Sequence, residues 1–562
     1  MTPRSASAAP TDRSIGAAAA PSTPVSGAAG ARGFGWGERA HRFASRHRRS
    51  LAASGETRRK QLVYVTTAWL FGSVWLAIVT SAVAVQYGRS LGLAEWAFGL
   101  LAAAPFIGSI CQLPAAYALE RWGHRRRLFL VVVTTGRLMW VAAGLVPWVL
   151  PAAGPTWAIA YGACCMAGWA LQQAGGPAWM NWMGDVMPKP IRGRYMALRG
   201  RLGTAVLVVT SFVAAWVLDQ AGVLQGWLGL SEGTAVLAMG SGLMIAAGVA
   251  GTIDILWFLP VPDRHPSTPN PEARLLGTLV TPLRDRRLWP YLAFFFVFHL
   301  AIGYMPAYVT LYLIDEVGFT TAGVNALMFS IPPVLSVMAM PFWGRFLDRH
   351  GKKPTLLVAG WIITLGGVGW LLMTPDRWVW PYLIVLTAVV GWPAVNLAMF
   401  NFMIELSETK RPRKSDAARR ADGRELDKPS GASYLAVCSL ATALGGGLSG
   451  LLGAGIAAGL YSLRFELSWL HMTLTYHGVL MLLSVALRVV ALCFVMRFDE
   501  PDSKTATQAL RYTTGSVYTS LRGWTVIPGR YARRSTRGVK LQVVTTRRRW
   551  NGKASGRDDR AA

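Results

Sequence analysis

Within otherwise apolar stretches of this 562-residue chain, a few side chains carry hydrogen-bonding or titratable groups at helical spacing. Thr66, Trp69, Ser73 and Thr80 follow one another at spacings of three, four and seven, which is one face of a helix. Trp169 and Gln172 share a face, with Gln173 beside them. His299 and Tyr304 lie in one stretch, and Trp392 and Asn396 lie four apart in another. Polar groups in an apolar medium are costly and turn toward a cavity or toward one another. The indoles offer flat surfaces, the amides offer donor and acceptor together, and His299 offers a ring that exchanges a proton near neutral pH. This is the chemistry of binding and proton carriage. The chain has no P-loop, no HExxH, no Ser-His-Asp arrangement and no GxGxxG after a strand, so no catalytic residue, metal site or cofactor is expected.

The elements that must hold these groups follow from composition. The chain is 52% hydrophobic and 15% charged, with a mean hydropathy of +0.34. Apolar runs succeed one another from Leu62 to Val495. We read them as spans at 62–86, 96–118, 128–150, 157–180, 195–218, 234–259, 289–314, 320–342, 355–374, 381–404, 432–460 and 474–496. A hydrocarbon layer about 30 Å thick takes about 20 helical residues to cross. The runs reach that length and lack the two-residue alternation of barrel strands. Charge is sorted with the same period. Six of the gaps hold only Arg89, Arg377 and Arg464, while most of the 57 Lys and Arg residues fall in the other gaps and the two tails. Arginine is retained on the cytoplasmic side. An even number of spans then puts both termini in the cytoplasm, and the chain is expected in the cell inner membrane as a multi-pass protein.

The formal charge of +29 lies on loops and tails that face anionic lipid, where each Lys or Arg near the surface contributes about 1 kcal/mol. A nucleic-acid partner is not expected. Cys111, Cys164, Cys165, Cys438 and Cys493 all sit in apolar runs and form no CxxC pair, so they read as small core residues rather than disulfides or metal ligands. Residues 1–60 read as a disordered cytoplasmic tail without a signal peptide. A first half is expected over 61–260, a cytoplasmic linker over 261–288, and a second half over 289–498 with a charged insert at 407–431. A basic cytoplasmic tail follows over 499–562. Asp254 in span six is expected to pair with Arg137 in span three, because each is a charge embedded at comparable depth. The seven glycines from Gly445 to Gly459 in span eleven are expected to let helices approach closely.

One motif occurs twice. The loop after span two reads Ala116-Tyr-Ala-Leu-Glu120-Arg121-Trp-Gly123-His-Arg125-Arg126-Arg127, and the loop after span eight reads Gly344-Arg-Phe-Leu-Asp348-Arg349-His-Gly351-Lys352-Lys353. Each sits at the same place in its set of six spans, which indicates an internal duplication. The glycines suit a tight turn, and the acids can interact with an Arg or with the positive end of a neighbouring helix. The trailing basic residues are expected chiefly to set topology.

With these motifs the chain resembles the major facilitator superfamily over residues 61–498. The second copy of the loop is close to the family signature; in the first, Ala116 and Glu120 replace the usual Gly and Asp. The stretch from Pro177 to Pro188, with Asp185, followed by Arg192-Gly193-Arg194-Tyr195 and Arg199, resembles the span four-to-five junction of a poorly assigned bacterial subgroup. The resemblance implies an all-α polytopic membrane protein of twelve transmembrane helices in two pseudo-symmetric six-helix halves. In this family spans one, four, seven and ten line a central cavity. That implies Trp69, Ser73, Trp169, Gln172, Gln173, His299, Tyr304, Trp392 and Asn396 as substrate-binding residues. It implies Glu120, Arg121, Asp185, Arg194, Asp348 and Arg349 as gating residues of the inner face. The implied function is secondary active transport of a small organic solute by alternating access, gradient-driven, with a coupling proton for which His299 is the candidate carrier. A non-transporting membrane sensor or assembly protein that keeps the fold is the alternative. The mixed aromatic and amide lining favours neutral or weakly polar solutes, unless Arg199 or Arg201 turns inward and favours anions.

Overall fold

A computed structural model describes residues 59–151, 154–187, 191–229, 231–263, 282–408, 431–467 and 472–498. Residues 1–58, most of the linker, the 409–430 part of the charged insert and the tail from 499 lie outside the described residues. Among the described residues, eleven helices are long and apolar enough to cross a membrane. Span four is the 20-residue helix Pro155–Ala174, continued by Gly176–Val186. It falls outside that set.

The helices begin and end where the sequence supplies caps. Ser231 accepts from the Thr234 amide at 3.3 Å to start span six, and Thr320 accepts from the Gly323 amide at 3.1 Å to start span eight. The two copies of the repeated loop turn as the sequence requires. Gln112–Trp122 ends at Gly123 with φ +70°, and Ile331–His350 ends at Gly351 with φ +93°. A side chain at either position would be strained. Between spans five and six lies a short helix, Ala221–Leu228. Between spans eleven and twelve lies an antiparallel hairpin that pairs β1, Phe465–Leu467, with β2, Met472–Leu474. Neither was anticipated from periodicity, because both are too short to register in it.

Buried side chains fall into three clusters. One combines residues of the first six spans, from Trp75 to Ala247, with residues of the last six, from Tyr304 to Met481. A second contains only residues of the last six spans with the flanking Leu288 and Phe498, and a third only residues of the first six spans with the flanking Met187 and Val261. The shared cluster lies away from the repeated basic loops, and the separate clusters lie toward them. Two sets of six spans are therefore joined through a common core at one end, and each has its own core at the other.

The expected pair between spans three and six is present. Arg137 Nη2 lies 3.0 Å from Asp254 Oδ2, and both residues are buried. The Arg137 guanidinium also lies 3.4 Å from the Trp75 ring centroid, a cation–π contact strengthened by the burial of both side chains. Arg488 in span twelve is likewise buried, and its Nη1 donates to the Ile363 carbonyl oxygen at 3.0 Å.

Candidate functional site

Spans one and seven are each broken once, at corresponding depths. Span one runs from Arg59 to Val79 and resumes as Ala82–Ser90. Span seven runs over Trp289–Ile302 and resumes as Met305–Asp315. A break frees backbone groups that must be satisfied inside a membrane. The Ala82 amide donates to Asn325 Oδ1 at 2.9 Å, and the Tyr304 amide donates to Ser449 Oγ at 2.9 Å. Asn325 Nδ2 then donates to the Ser211 carbonyl oxygen at 2.6 Å, so one amide side chain ties span one to spans five and eight. Span eight carries a π-helical turn at Ala326–Ser330, a rare distortion associated with functional sites.

Between these breaks lies a cavity of about 360 Å³, within the range of small-molecule sites. Thr80, Ser81 and Ala84 line it from span one, and Gly303, Pro306 and Thr310 from span seven. Phe98, Phe106, Trp140, Tyr161, Cys165, Trp169 and Phe329 make the rest of its wall largely aromatic. Trp169 is held by a tilted contact to Trp75 and an edge contact to Trp140, with ring centroids 5.6 and 6.0 Å away. No Asp, Glu, Lys or Arg is among the lining residues.

The expected substrate-binding residues are dispersed around this cavity. Trp169 lines it. Trp69 instead faces span five, where the Arg199 guanidinium lies 4.3 Å from its ring centroid. Ser73 is fully buried and donates to the Trp69 carbonyl oxygen at 2.7 Å, while Thr66 meets the Tyr195 hydroxyl at 3.1 Å. Thr80, at the far end of the same face, does reach the cavity. Gln173 Nε2 donates to the Pro105 carbonyl oxygen at 3.2 Å, and its Oε1 accepts from Gln112 at 3.2 Å. Gln172 Oε1 is buried without a hydrogen bond. His299 Nδ1 lies 2.8 Å from the Phe295 carbonyl oxygen of its own helix, and its ring meets Phe106 and Phe298 edge-on. Tyr304 is fully buried and donates to the Leu480 carbonyl oxygen at 2.9 Å. Trp392 packs at 5.9 Å from Phe298, and Asn396 is exposed.

The expected gating residues lie at the basic-loop end. Glu120, Arg121, Asp348 and Arg349 are exposed. Arg194 begins span five, but its side chain lies outside the described residues. Asp185 accepts from Arg125 Nη2 at 2.6 Å. The Arg125 side chain is only 3% exposed, and it also pairs with Asp263 at 2.7 Å and donates to Asn181 Oδ1 at the short distance of 2.5 Å. One arginine of the repeated loop thus fastens spans three and four and the start of the linker. Reading it as a topology marker missed this; the available signal was its place two residues after Gly123, which turns it back under span four. Arg125→Ala should destabilise the detergent-solubilised protein by about 3 kcal/mol, because Asp263 loses its partner in a largely buried site. Arg127→Ala, at an exposed position, should leave the thermal midpoint unchanged.

At the opposite end the two sets of spans are cross-linked by polar contacts that sequence reasoning did not find. The carboxylate of Asp219, the last residue of span five, accepts from the Thr321 and Ala322 amides at 3.0 and 2.8 Å and so caps span eight. Arg89, in the last turn of the second segment of span one, forks across Asp315 at the end of span seven and bonds Glu95 at 3.0 Å. Tyr476, at the start of span twelve, donates to Glu95 Oε2 at 2.9 Å. Spans two and eleven meet between these contacts through small residues. A Cβ at Gly99 would lie 2.6 Å from the Gly450 carbonyl oxygen and 2.7 Å from the Ala454 nitrogen.

Solved structures of the same architecture are available for comparison. A mutant of the nucleoside transporter NupG aligns over 79% of this chain and 100% of its own, with a TM-score of 0.56 and 14% identity. A D-xylose–proton symporter aligns over 79% and 99%, with a TM-score of 0.56 and 13% identity. A bacterial homologue of the human lysosomal transporter Spinster, in an inward-facing and unoccupied conformation, aligns over 79% and 95%, with a TM-score of 0.51 and 15% identity. At such identities these likenesses speak to the fold. No curated protein sequence matches the chain. A family model described as Major Facilitator Superfamily matches residues 62–414, more than half of the chain. Taken with the repeated loops, the twelve spans and the cavity between the broken helices, that match makes this protein a multi-pass membrane member of the major facilitator superfamily.

Proposed function

We propose that the protein is a secondary active transporter that moves a small, uncharged organic solute by alternating access between two six-helix halves, 61–260 and 289–498. The observation that carries this reading is the division of the core. One apolar cluster joins the halves at one end, and two separate clusters serve them at the other, which suits a molecule closed on one face of a membrane and open on the other. The cavity lies at the two helix breaks on the joined side, where a solute would be held between the halves. Charge sorting makes the open, basic-loop face cytoplasmic in the cell inner membrane. Energy would come from a gradient, as in the D-xylose–proton symporter whose fold it shares.

Trp169 is the binding residue for which the geometry argues most strongly, with Thr80 and Thr310 as polar contacts. The absence of a charged side chain among the lining residues favours neutral solutes, since Arg199 is stacked on Trp69 and Trp179. The test is uptake or efflux of a metabolite panel in membrane vesicles of defined orientation, with and without a proton gradient. A solute that moves in the wild type should bind Trp169→Ala about tenfold more weakly, the equivalent of one lost aromatic contact of roughly 1.4 kcal/mol. A panel that is neither transported nor raises the protein's thermal midpoint would count against transport and favour a signalling or assembly role.

A further inference from the structure

Glu95, Asp315 and His477 come from spans two, seven and twelve, and the fold brings an atom of each that could ligate a metal to one place. One ring nitrogen of His477 and one oxygen of each carboxylate all lie within 4.8 Å of one another. Arg89 serves as the cation between the two acids, donating to Glu95 Oε1 at 3.0 Å and forking across Asp315. It leaves the histidine out. His477 is 2% exposed, and among the described residues its Nε2 has no hydrogen-bond partner. A buried polar nitrogen left in this way is costly. Nδ1 lies 3.4 Å from the Thr475 hydroxyl, which can take the proton of that nitrogen and leave the Nε2 lone pair for a Lewis acid. The Tyr476 hydroxyl donates to Glu95 Oε2 at 2.9 Å, and its ring packs on His477 with centroids 3.9 Å apart. One tyrosine thus orients two of the three candidate ligands.

We propose that Glu95, Asp315 and His477 form a binding site for a divalent first-row transition-metal ion, which exchanges with the Arg89 guanidinium. Two carboxylates and one guanidinium leave one formal negative charge, whereas two carboxylates and a divalent ion leave none. The Arg89 side chain is 26% exposed and that of Asp315 30%, so the guanidinium has a way out to water and the ion a way in. An imidazole nitrogen with two carboxylate oxygens suits zinc and its neighbours, while magnesium and calcium favour oxygen alone. Tetrahedral bonds of about 2.0–2.2 Å set ligand atoms about 3.4 Å apart, so the three atoms draw together as Arg89 leaves, and water completes the set. Glu95 belongs to the first six spans, and Asp315 and His477 belong to the last six. The ion therefore ties the two sets together at the end away from the repeated basic loops. The motifs of the chain pointed to no metal site because these three residues lie far apart along it. The site is read without a solute and stands apart from the transport reading.

The test is calorimetric titration of zinc into the full chain, without a histidine tag, in lipid nanodiscs, with cobalt(II) as the spectroscopic probe. The wild type should bind one zinc ion per chain saturably, and its thermal midpoint should rise with zinc. His477→Gln and Asp315→Asn should each weaken binding by about tenfold or more. Arg89→Gln should bind zinc about tenfold more tightly, because the competing cation is gone. His477→Cys loaded with cobalt should show a thiolate-to-metal charge-transfer band that the loaded wild type lacks. Asp315 is exposed, so the Asp315→Asn arm keeps the test decisive if the histidine variants fold poorly. No saturable zinc binding by the wild type would overturn the proposal. Affinity unchanged in Asp315→Asn would also overturn it and mark an adventitious ion only, and weaker binding by Arg89→Gln would overturn the exchange with the guanidinium.

Discussion

Asp254→Leu should lower the stability of the solubilised protein by about 3–5 kcal/mol, the usual cost of stripping one member from a buried ion pair. Arg137 is 3% exposed, and its Nε and Nη1 have no other hydrogen-bond partner. Without Asp254 its charge would stand in the interior beside a second buried arginine, Arg199, which interacts electrostatically with the same carboxylate. The geometry is tight as well: a Cβ at Gly72 would come within 2.5 Å of Asp254 Oδ2. Arg137→Leu should be milder, because Arg199 still offsets the remaining carboxylate. The double replacement of Arg137 and Asp254 by leucine should recover most of the loss, since a well-packed apolar pair can match a buried ion pair. Thermal unfolding of the four proteins gives the coupling directly. Additive losses in the double variant would show that the two residues do not act as a unit.

Gly450→Val should abolish the close approach of spans two and eleven. A Cβ at Gly450 would collide with the Gly99 carbonyl oxygen and the Ala103 side chain, and backbone on both sides leaves nothing flexible to yield. Overpacking of this kind costs about 1–3 kcal/mol. Because the contact lies between the two sets of six spans, under the proposed alternating-access function the cost falls on the form closed at that end and shifts the closed-to-open ratio by roughly tenfold or more. Solute flux that depends on closing that end should fall in proportion. Gly455, five residues along the same helix, has open space where a Cβ would go, so Gly455→Val provides the control and should leave flux and folded yield intact. Equal effects of the two substitutions would mean that the seam is not what makes Gly450 sensitive. A stripe of small residues was visible in the chain as a packing surface; which of its glycines meets a backbone depends on the partner helix.

The sequence by itself determined the features that rest on short-range chemistry or on the cost of charge in hydrocarbon. Run length and the placement of arginine gave the spans, because crossing an apolar layer leaves the chain no alternative to long helices. Glycine at the repeated turns gave Gly123 and Gly351 their left-handed backbone, because no other residue adopts it without strain. The Arg137–Asp254 pair followed because so few charges are embedded that each has few possible partners. The tertiary structure alone decided what each helical face looks at. Periodicity put Thr66, Trp69 and Ser73 on one face with Thr80, but only packing shows that the first three meet span five and that Thr80 meets the cavity. It also decided where spans one and seven break, since Asn325 and Ser449, far along the chain, supply the hydrogen bonds that make the breaks tolerable. The cluster of Arg89, Glu95, Asp315 and His477 assembles from four spans. Nothing local marks its members, because each is an ordinary polar residue at the end of a span until the fold brings them within reach of one another.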